Sequence, residues 1–467
     1  MKLLRIIILI FLCAGSFFSN SSLAQSKEAL IKRRPNVIII YTDDQGSLDL
    51  NIYGANNLYT PNLDQLANNG VRFTQFYTAS PVCSPSRASL MTGKYPQRAG
   101  LATNASSDRG GKSEMPGSQV TIAEMFKTAG YKTGHIGKWH MGYSPETMPN
   151  QQGFDYSYGH MGGCIDNYSH FFYWNGPNRH DLWRNGEEIW EDGKYFPQRM
   201  VEEISEYLET NRNNPFFLYW ALNIPHYPLQ GESKWRNYYK DLPSPRKEYA
   251  AFVSTMDEKI GMVLKKVKEL GLEENTIIVL QSDHGHSEEE RTFGGGGFAG
   301  PYKGAKFSLF EGGIRVPAII SWPGNIPKNQ VRDQAVYNID WFPTLLELTG
   351  VSNAKAKIDG KSFVNVIRSS NAQPNHDTFI WQSGGVNEPQ WAVRQGDWKL
   401  ISNPAGNHLA DYERNLKKLY LFNIKNDPGE KKNEIDKNPA IVSSLFEKYL
   451  IWSKDVESLN HQQKLDH

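Results

Sequence analysis

The strongest constraint on this chain is a set of short, unbroken apolar runs separated by helix-length amphipathic stretches. Asn36-Val37-Ile38-Ile39-Ile40-Tyr41 shows no polar alternation, and neither do Phe216-Phe217-Leu218-Tyr219-Trp220 and Thr276-Ile277-Ile278-Val279-Leu280. Strands that are apolar on both faces belong to a sheet covered on both sides, which is the habit of parallel sheets. Tyr131 to Ile136 and Ile314 to Ser321 read as further strands. Between them, helices are expected over 60–70, 120–129, 198–211 and 247–270. The first has Thr60 as cap, Pro61 in its first turn and Gly70 as its stop. Strands alternating with helices define an α/β sandwich, with a central, mostly parallel sheet between helices.

The texture changes near residue 370, where "RSSNAQPNHD" (368–377) reads as a linker. Beyond it, Phe379 to Gln382, Trp391 to Arg394, Trp398 to Ser402 and Leu419 to Asn423 read as short antiparallel strands, and Pro439 to Trp452 as a closing helix. The expected division is therefore a leader over 1–24, a catalytic α/β domain over 25–370 and a smaller C-terminal α+β subdomain over 375–467.

The leader has Lys2 and Arg5 at its start, an apolar run from Ile6 to Cys13 and a small-x-small site at Ser22-Leu23-Ala24. That is the pattern of a secretory signal peptide; an uncleaved N-terminal anchor is the alternative. No later segment reaches the roughly 18 apolar residues of a membrane span. The mature chain is expected to be exported, either periplasmic or secreted. Losing Lys2 and Arg5 takes the formal charge from +1 to −1, which excludes a nucleic-acid partner held by a basic face.

In open α/β sheets ligands bind beyond the carboxyl ends of the strands, and the polar clusters fall there. Asp43 and Asp44 follow the first strand; Lys138 and His140 follow 131–136; His226 follows 216–221; Asp283 and His284 follow 276–280. Each is ambiguous alone, since adjacent acids also cap turns. Two acid-bearing strand exits in one sheet point to a shared divalent-metal site. Its three carboxylates favour Ca2+ or Mg2+, while His284 keeps Mn2+ or Zn2+ open. Lys138 and His140 flank Trp139, and in an extended chain they share one face.

Only three cysteines are present. Cys83 and Cys164 remain after the leader, and one disulfide between them is the ordinary reading for an exported protein. Yet Cys83 stands in Cys83-Ser84-Pro85-Ser86-Arg87 at the start of a helix, where the backbone favours an anion and Arg87 can fork onto it.

The segment "CSPSR" followed by "ASLMTGKYPQRAG" resembles the signature of the type I sulfatases of the alkaline phosphatase superfamily. "IIYTDDQG", "TPNLDQLANNGVRF", "TGHIGKWHMG", "PHYP", "SDHG", "KFSLFEGGIRVPAIISWPG" and "LYLFNIKNDPGEKKN" resemble that family in the same order, over about residues 35–450. The resemblance implies that Cys83 is converted to formylglycine by a formylglycine-generating or anaerobic sulfatase-maturating enzyme, and that its hydrate attacks sulfur. It implies a Ca2+ ion, with Mg2+ or Mn2+ less favoured, on Asp43, Asp44, Asp283, His284 and the modified Cys83. It assigns charge stabilisation to Arg87, Lys138 and Lys306, protonation of the leaving oxygen to His226 with Lys306, and regeneration of the aldehyde to His140. His284 departs from the asparagine common at that position.

The resemblance also implies a sulfated carbohydrate as substrate, of algal or glycosaminoglycan type, with a phosphodiesterase or phosphonate monoester hydrolase as the alternative. Residues 155–195 are rich in rings and hydrogen-bonding groups. Of these, His160, His170, Trp174 and Arg179 are the candidate saccharide contacts.

Overall fold

The computed structural model describes residues 34–174, 176–352, 356–384, 389–405 and 419–465. The leader expected at 1–24 lies outside the described residues.

The Asn36–Thr42 strand is buried along its whole length and lies between two parallel neighbours, Phe216–Ala221 and Thr276–Ser282. Its unbroken apolar run has a direct cause. Val37, Ile39 and Tyr41 enter one hydrophobic core, and Ile38 and Ile40 enter another on the opposite face. Each such side chain withdrawn from water contributes about 1.5–3 kcal/mol. Helices Cys83–Thr92, Ile122–Thr128 and Trp341–Thr349 cover the first face; Pro61–Asn68, Phe196–Asn211 and Arg246–Glu269 cover the second.

The ten-stranded sheet runs Gln330–Arg332, Gly70–Phe73, Ala318–Ser321, Thr276–Ser282, Asn36–Thr42, Phe216–Ala221, Lys132–Lys138, Tyr156–His160, Trp183–Arg184, Glu187–Glu188. Its middle is parallel, from Thr276–Ser282 to Tyr156–His160. Two expectations need correction. The run from Ile314 divides: Glu311–Ile314 is one helical turn, and the strand is only Ala318–Ser321. That strand is antiparallel to both neighbours, one of which is Gly70–Phe73, a strand starting at the glycine expected only to stop a helix.

The four C-terminal strands, Thr378–Ser383, Gln390–Gln395, Trp398–Ser402 and Leu419–Asn423, form a separate antiparallel meander. One face carries Ile380, Trp391, Val393, Leu400 and Leu421 against the helix beginning at Pro439. The other packs Phe379, Trp381, Ala392, Ile401 and Phe422 against Tyr77, Phe310 and Tyr337. No helix among the described residues is long and apolar enough to cross a membrane.

Candidate active site

Three parallel strands end at one place and deliver charged side chains to it. Asp43 and Asp44 leave Asn36–Thr42, Lys138 is the last residue of Lys132–Lys138, and Asp283 and His284 leave Thr276–Ser282. Asp44 adopts a left-handed backbone, φ 60, so the chain turns sharply as it exits the strand. Lys138 Nζ donates to both oxygens of Asp43, at 2.7 and 3.0 Å. Arg87 reaches Asp283 Oδ2 at 3.0 Å and Asp43 Oδ1 at 3.2 Å. Lys306 Nζ lies 3.0 Å from Asp44 and 3.3 Å from His226 Nε2.

Cys83 is the first residue of the buried helix Cys83–Thr92, which closes at Gly93 with φ 66. The helix is held at the metal-type cluster by polar contacts. Ser86 Oγ donates to the Asp283 carbonyl at 2.7 Å, and Asn338 donates to the Ser86 carbonyl at 3.1 Å. Ser84 N–H donates to Asn104 Oδ1 at 3.1 Å. Cys83 Sγ thereby comes to 3.2 Å from His284 Nε2. Both Cys83 and Cys164 are free thiols, so the disulfide reading does not hold.

Burial raises the Cys83 thiol, but Lys138, Lys306 and His284 outweigh it and bring it down to about 5. Burial also opposes ionisation of Asp43, where the Lys138 and Arg87 cations win and hold it well below the carboxylate range. Asp44 and Asp283 are raised, by burial and by the neighbouring Asp43 charge. Burial pulls His284 down, while Asp283 and Cys83 push it up to about 9. Burial, reinforced by Lys138 and Arg87, keeps His140 neutral; burial and Lys306 do the same for His226.

The donor set fits a divalent cation. Side-chain atoms of Asp43, Cys83, Asp283 and His284 all lie within 4.8 Å of one another. Asp44 Oδ1, buried 3.0 Å from Lys306 Nζ and 3.4 Å from His284 Nε2, brings a further carboxylate oxygen to the same cluster. His284 Nδ1 donates to the Gly285 carbonyl at 2.9 Å, which directs Nε2 to the ligand side, where a bound cation would displace its proton.

A cavity of about 330 Å³ opens above Cys83. His140, His226 and Lys306 lie on its wall, with Trp174 and Arg179 among the candidate saccharide contacts. His160 and His170 do not line it. His160 turns Nδ1 to the Gly162 carbonyl at 3.0 Å and lies edge-on to Phe196, while His170 donates Nε2 to the Lys194 carbonyl at 3.0 Å. His140 reaches the wall differently from the expected strand alternation. The strand ends at Lys138, and His140 adopts φ 54 with its ring against Gly163, where a Cβ would stand 3.1 Å from Cε1. Sequence reasoning missed Asn104, Tyr227 and Arg291 on the same wall. Arg291 stacks over Trp174 at 4.8 Å and Tyr227 at 4.4 Å. Only the "PHYP" context of Tyr227 carried a local signal.

A mostly parallel α/β sandwich with acids at its strand exits and a buried cysteine at a helix start is the arrangement of a hydrolase of anionic esters with the alkaline-phosphatase-like fold. The sulfatase family model matches residues 35–351, and the model for the C-terminal part of N-sulphoglucosamine sulphohydrolase matches 304–451. The chain belongs to the sulfatase family, hydrolases that act on sulfate esters. It is 30% identical to arylsulfatase J of Mus musculus, covering 92% of this chain and 78% of that one. It is 30% identical to N-acetylgalactosamine-6-sulfatase of Homo sapiens, covering 85% and 81%. Among solved structures, Ps i-CgsB in complex with k-i-k-neocarrahexaose superposes with a TM-score of 0.80 at 30% identity, covering 90% of this chain and 93% of that one.

Proposed function

We propose that this chain is an exported sulfatase, periplasmic or secreted, that removes a sulfate ester from a sulfated saccharide. The carrying observation is the cavity itself. At its floor stands Cys83, beside Lys306; on its wall are the Trp174 and Tyr227 rings and the Arg179 and Arg291 cations. Aromatic faces suit a sugar ring, and cations suit a sulfate group. The relative solved with a neocarrahexaose supports a saccharide ligand.

Cys83 is assigned as the residue converted to formylglycine by a maturating enzyme, which supplies a hydrated aldehyde: one hydroxyl to attack sulfur, a second to allow release of sulfate. Asp43, Asp44, Asp283 and His284 would hold the divalent cation, assigned as Ca2+, which when bound would supply Lewis-acid polarisation of the sulfate group. The chain's own residues do the rest. Lys138 and Arg87 hold Asp43 ionised, and Arg87 keeps Asp43 and Asp283 in register. Lys306 offsets charge on the sulfuryl oxygens, where preorganised dipoles and cations act most strongly. His226 Nδ1 donates to the Tyr227 carbonyl at 2.7 Å, so Nε2 shares a proton with Lys306, and that proton goes to the leaving oxygen. His140, neutral and with Nδ1 unpartnered, accepts the proton released when the site resets.

The test measures sulfate release from defined sulfated oligosaccharides, alongside an aryl sulfate and a phosphate diester, with Cys83 conversion checked by intact mass. Sulfate release from a saccharide is expected to dominate. Higher efficiency on the diester would reverse the assignment in favour of phosphodiesterase or phosphonate monoester chemistry.

A further inference from the structure

A short hairpin at the cavity rim pairs Phe171–Phe172 with Arg179–His180, in the register Phe171 opposite His180. Trp174, just beyond the first arm, and Arg179, at the start of the second, both line the cavity wall. His170 immediately precedes the first arm and His180 ends the second, so their imidazoles meet at the hairpin's base, ring centroids 6.3 Å apart. The His170 side chain is fully buried, and His180 is 4% exposed.

Hydrogen bonds fix the tautomer of each ring. His170 Nε2 stands 3.0 Å from the Lys194 carbonyl, which only accepts, so Nε2 carries the proton. His180 Nδ1 stands 3.0 Å from a Glu188 carboxylate oxygen, so Nδ1 donates there. The lone pairs are then on His170 Nδ1 and His180 Nε2. Both atoms are buried and have no hydrogen-bond partner. The carboxylate of exposed Asp192 completes the group: one nitrogen of each ring and one Asp192 oxygen all lie within 4.8 Å of one another. Two buried acceptors stripped of water are costly when nothing replaces it. An imidazole whose other N–H is tied to a carbonyl or carboxylate is an oriented metal ligand. Trp190 adds rigidity, stacking on the His180 ring at 3.8 Å and 9°.

We propose that His170, His180 and Asp192 form a second divalent-cation site, of the Zn2+ class, which clamps the base of the hairpin bearing Trp174 and Arg179. Two imidazole nitrogens and one carboxylate oxygen suit Zn2+ and neighbouring first-row ions, whereas Ca2+ and Mg2+ favour oxygen-only sets. Three protein ligands leave one position of a tetrahedral shell for water. No residue is shared with the cluster around Cys83. This assignment gives His170 a role at the rim although it does not touch the cavity. Under the saccharide reading above, emptying the site raises KM more than it lowers kcat, because it loosens contacts and leaves the reacting groups in place; the binding test below is independent of that reading.

The test is a Co2+ titration of the full chain carrying Cys83→Ser, in excess Ca2+, followed by visible absorption and displacement with Zn2+. Cys83→Ser removes the thiolate, and Ca2+ occupies the oxygen-rich cluster. One Co2+ per chain is expected, without sulfur charge-transfer bands and displaced by Zn2+. Removing a ligand with Asp192→Ala is expected to weaken binding by at least about tenfold, as even loss of an outer-sphere partner does. His180→Gln is expected to abolish it. Asp192 is exposed, so its variant reports on the site even if a histidine variant fails to fold. Co2+ uptake unchanged by Asp192→Ala, or no uptake by the parent protein, overturns the proposal.

Discussion

Cys83 and Cys164 line the same cavity with opposite acid–base settings. Lysines bring Cys83 down to about 5 against burial, whereas burial pushes Cys164 up to about 11, the Tyr227 hydroxyl only partly opposing it. The thiolate is the nucleophile. In metal-free protein whose Cys83 has not been converted, iodoacetamide at neutral pH is therefore expected to label Cys83 and spare Cys164, as read by peptide mass mapping. Equal labelling would contradict the charge environment described. A second residue-scale expectation concerns the leaving oxygen. His226→Ala should slow an alkyl sulfate by about 10²–10⁴-fold and an activated aryl sulfate much less, because only the poor leaving group needs the proton. Equal slowing of both would assign His226 to positioning instead. At this scale the sequence located most of the charged groups that the structure brings together, because acids and cations at strand exits can be located from the strands alone. It did not distinguish Arg179, which lines the cavity, from His160 and His170, which do not. Loop packing decides that, and local pattern does not encode it.

Among the elements, the one-turn helix Glu311–Ile314 links the catalytic sheet to the C-terminal meander through a buried charge group. Lys399 Nζ lies 2.9 Å from both Glu311 Oε1 and Glu430 Oε1, and Glu430 accepts the Glu311 N–H at 2.6 Å. Lys399→Met removes the cation shared by the two carboxylates, leaving Arg315 on Glu311 alone at 3.4 Å, and is expected to cost about 3–5 kcal/mol, the range for breaking a buried pair; urea unfolding measures it. Burial raises Glu430 above its ordinary value despite Lys399, while Lys399 and Arg315 hold Glu311 low. A carboxylate raised on folding contributes stability below the ordinary carboxylate range and loses it as pH climbs through the raised value. Glu430→Gln cannot lose that proton. Its melting temperature relative to the parent should therefore improve from pH 5 to pH 8, and a constant difference would contradict the shift. The interior strands were legible because burial on both faces removes polar residues. Gly70–Phe73 was not, since four residues containing Arg72 carry no strand pattern. Its pairing with Ala318–Ser321 is set by contacts some 250 residues apart in the chain.

For the whole molecule, two cores on opposite sides of one sheet fix where the strands end, and the site follows from that placement. The acids, lysines and histidines come from segments between residues 43 and 306, and each depends on a strand or loop held by a different part of the core. The meander at residues 378–423 contributes through contact: Trp381 Nε1 donates to the Thr78 carbonyl at 2.8 Å, and the Thr78 hydroxyl donates to the Asp283 carbonyl at 2.6 Å. Trp381→Phe should therefore reduce thermal stability by about 1 kcal/mol through one lost buried hydrogen bond, with a smaller effect on turnover than any change at Cys83. The central claim is that a modified Cys83 at the head of its buried helix is the nucleophile for sulfate-ester hydrolysis. Sulfate release from a sulfated oligosaccharide, measured across preparations whose converted fraction of Cys83 is known from intact mass, tests it most directly. Turnover is expected to rise in proportion to that fraction and to vanish in Cys83→Ala; full turnover by Cys83→Ala would contradict the account.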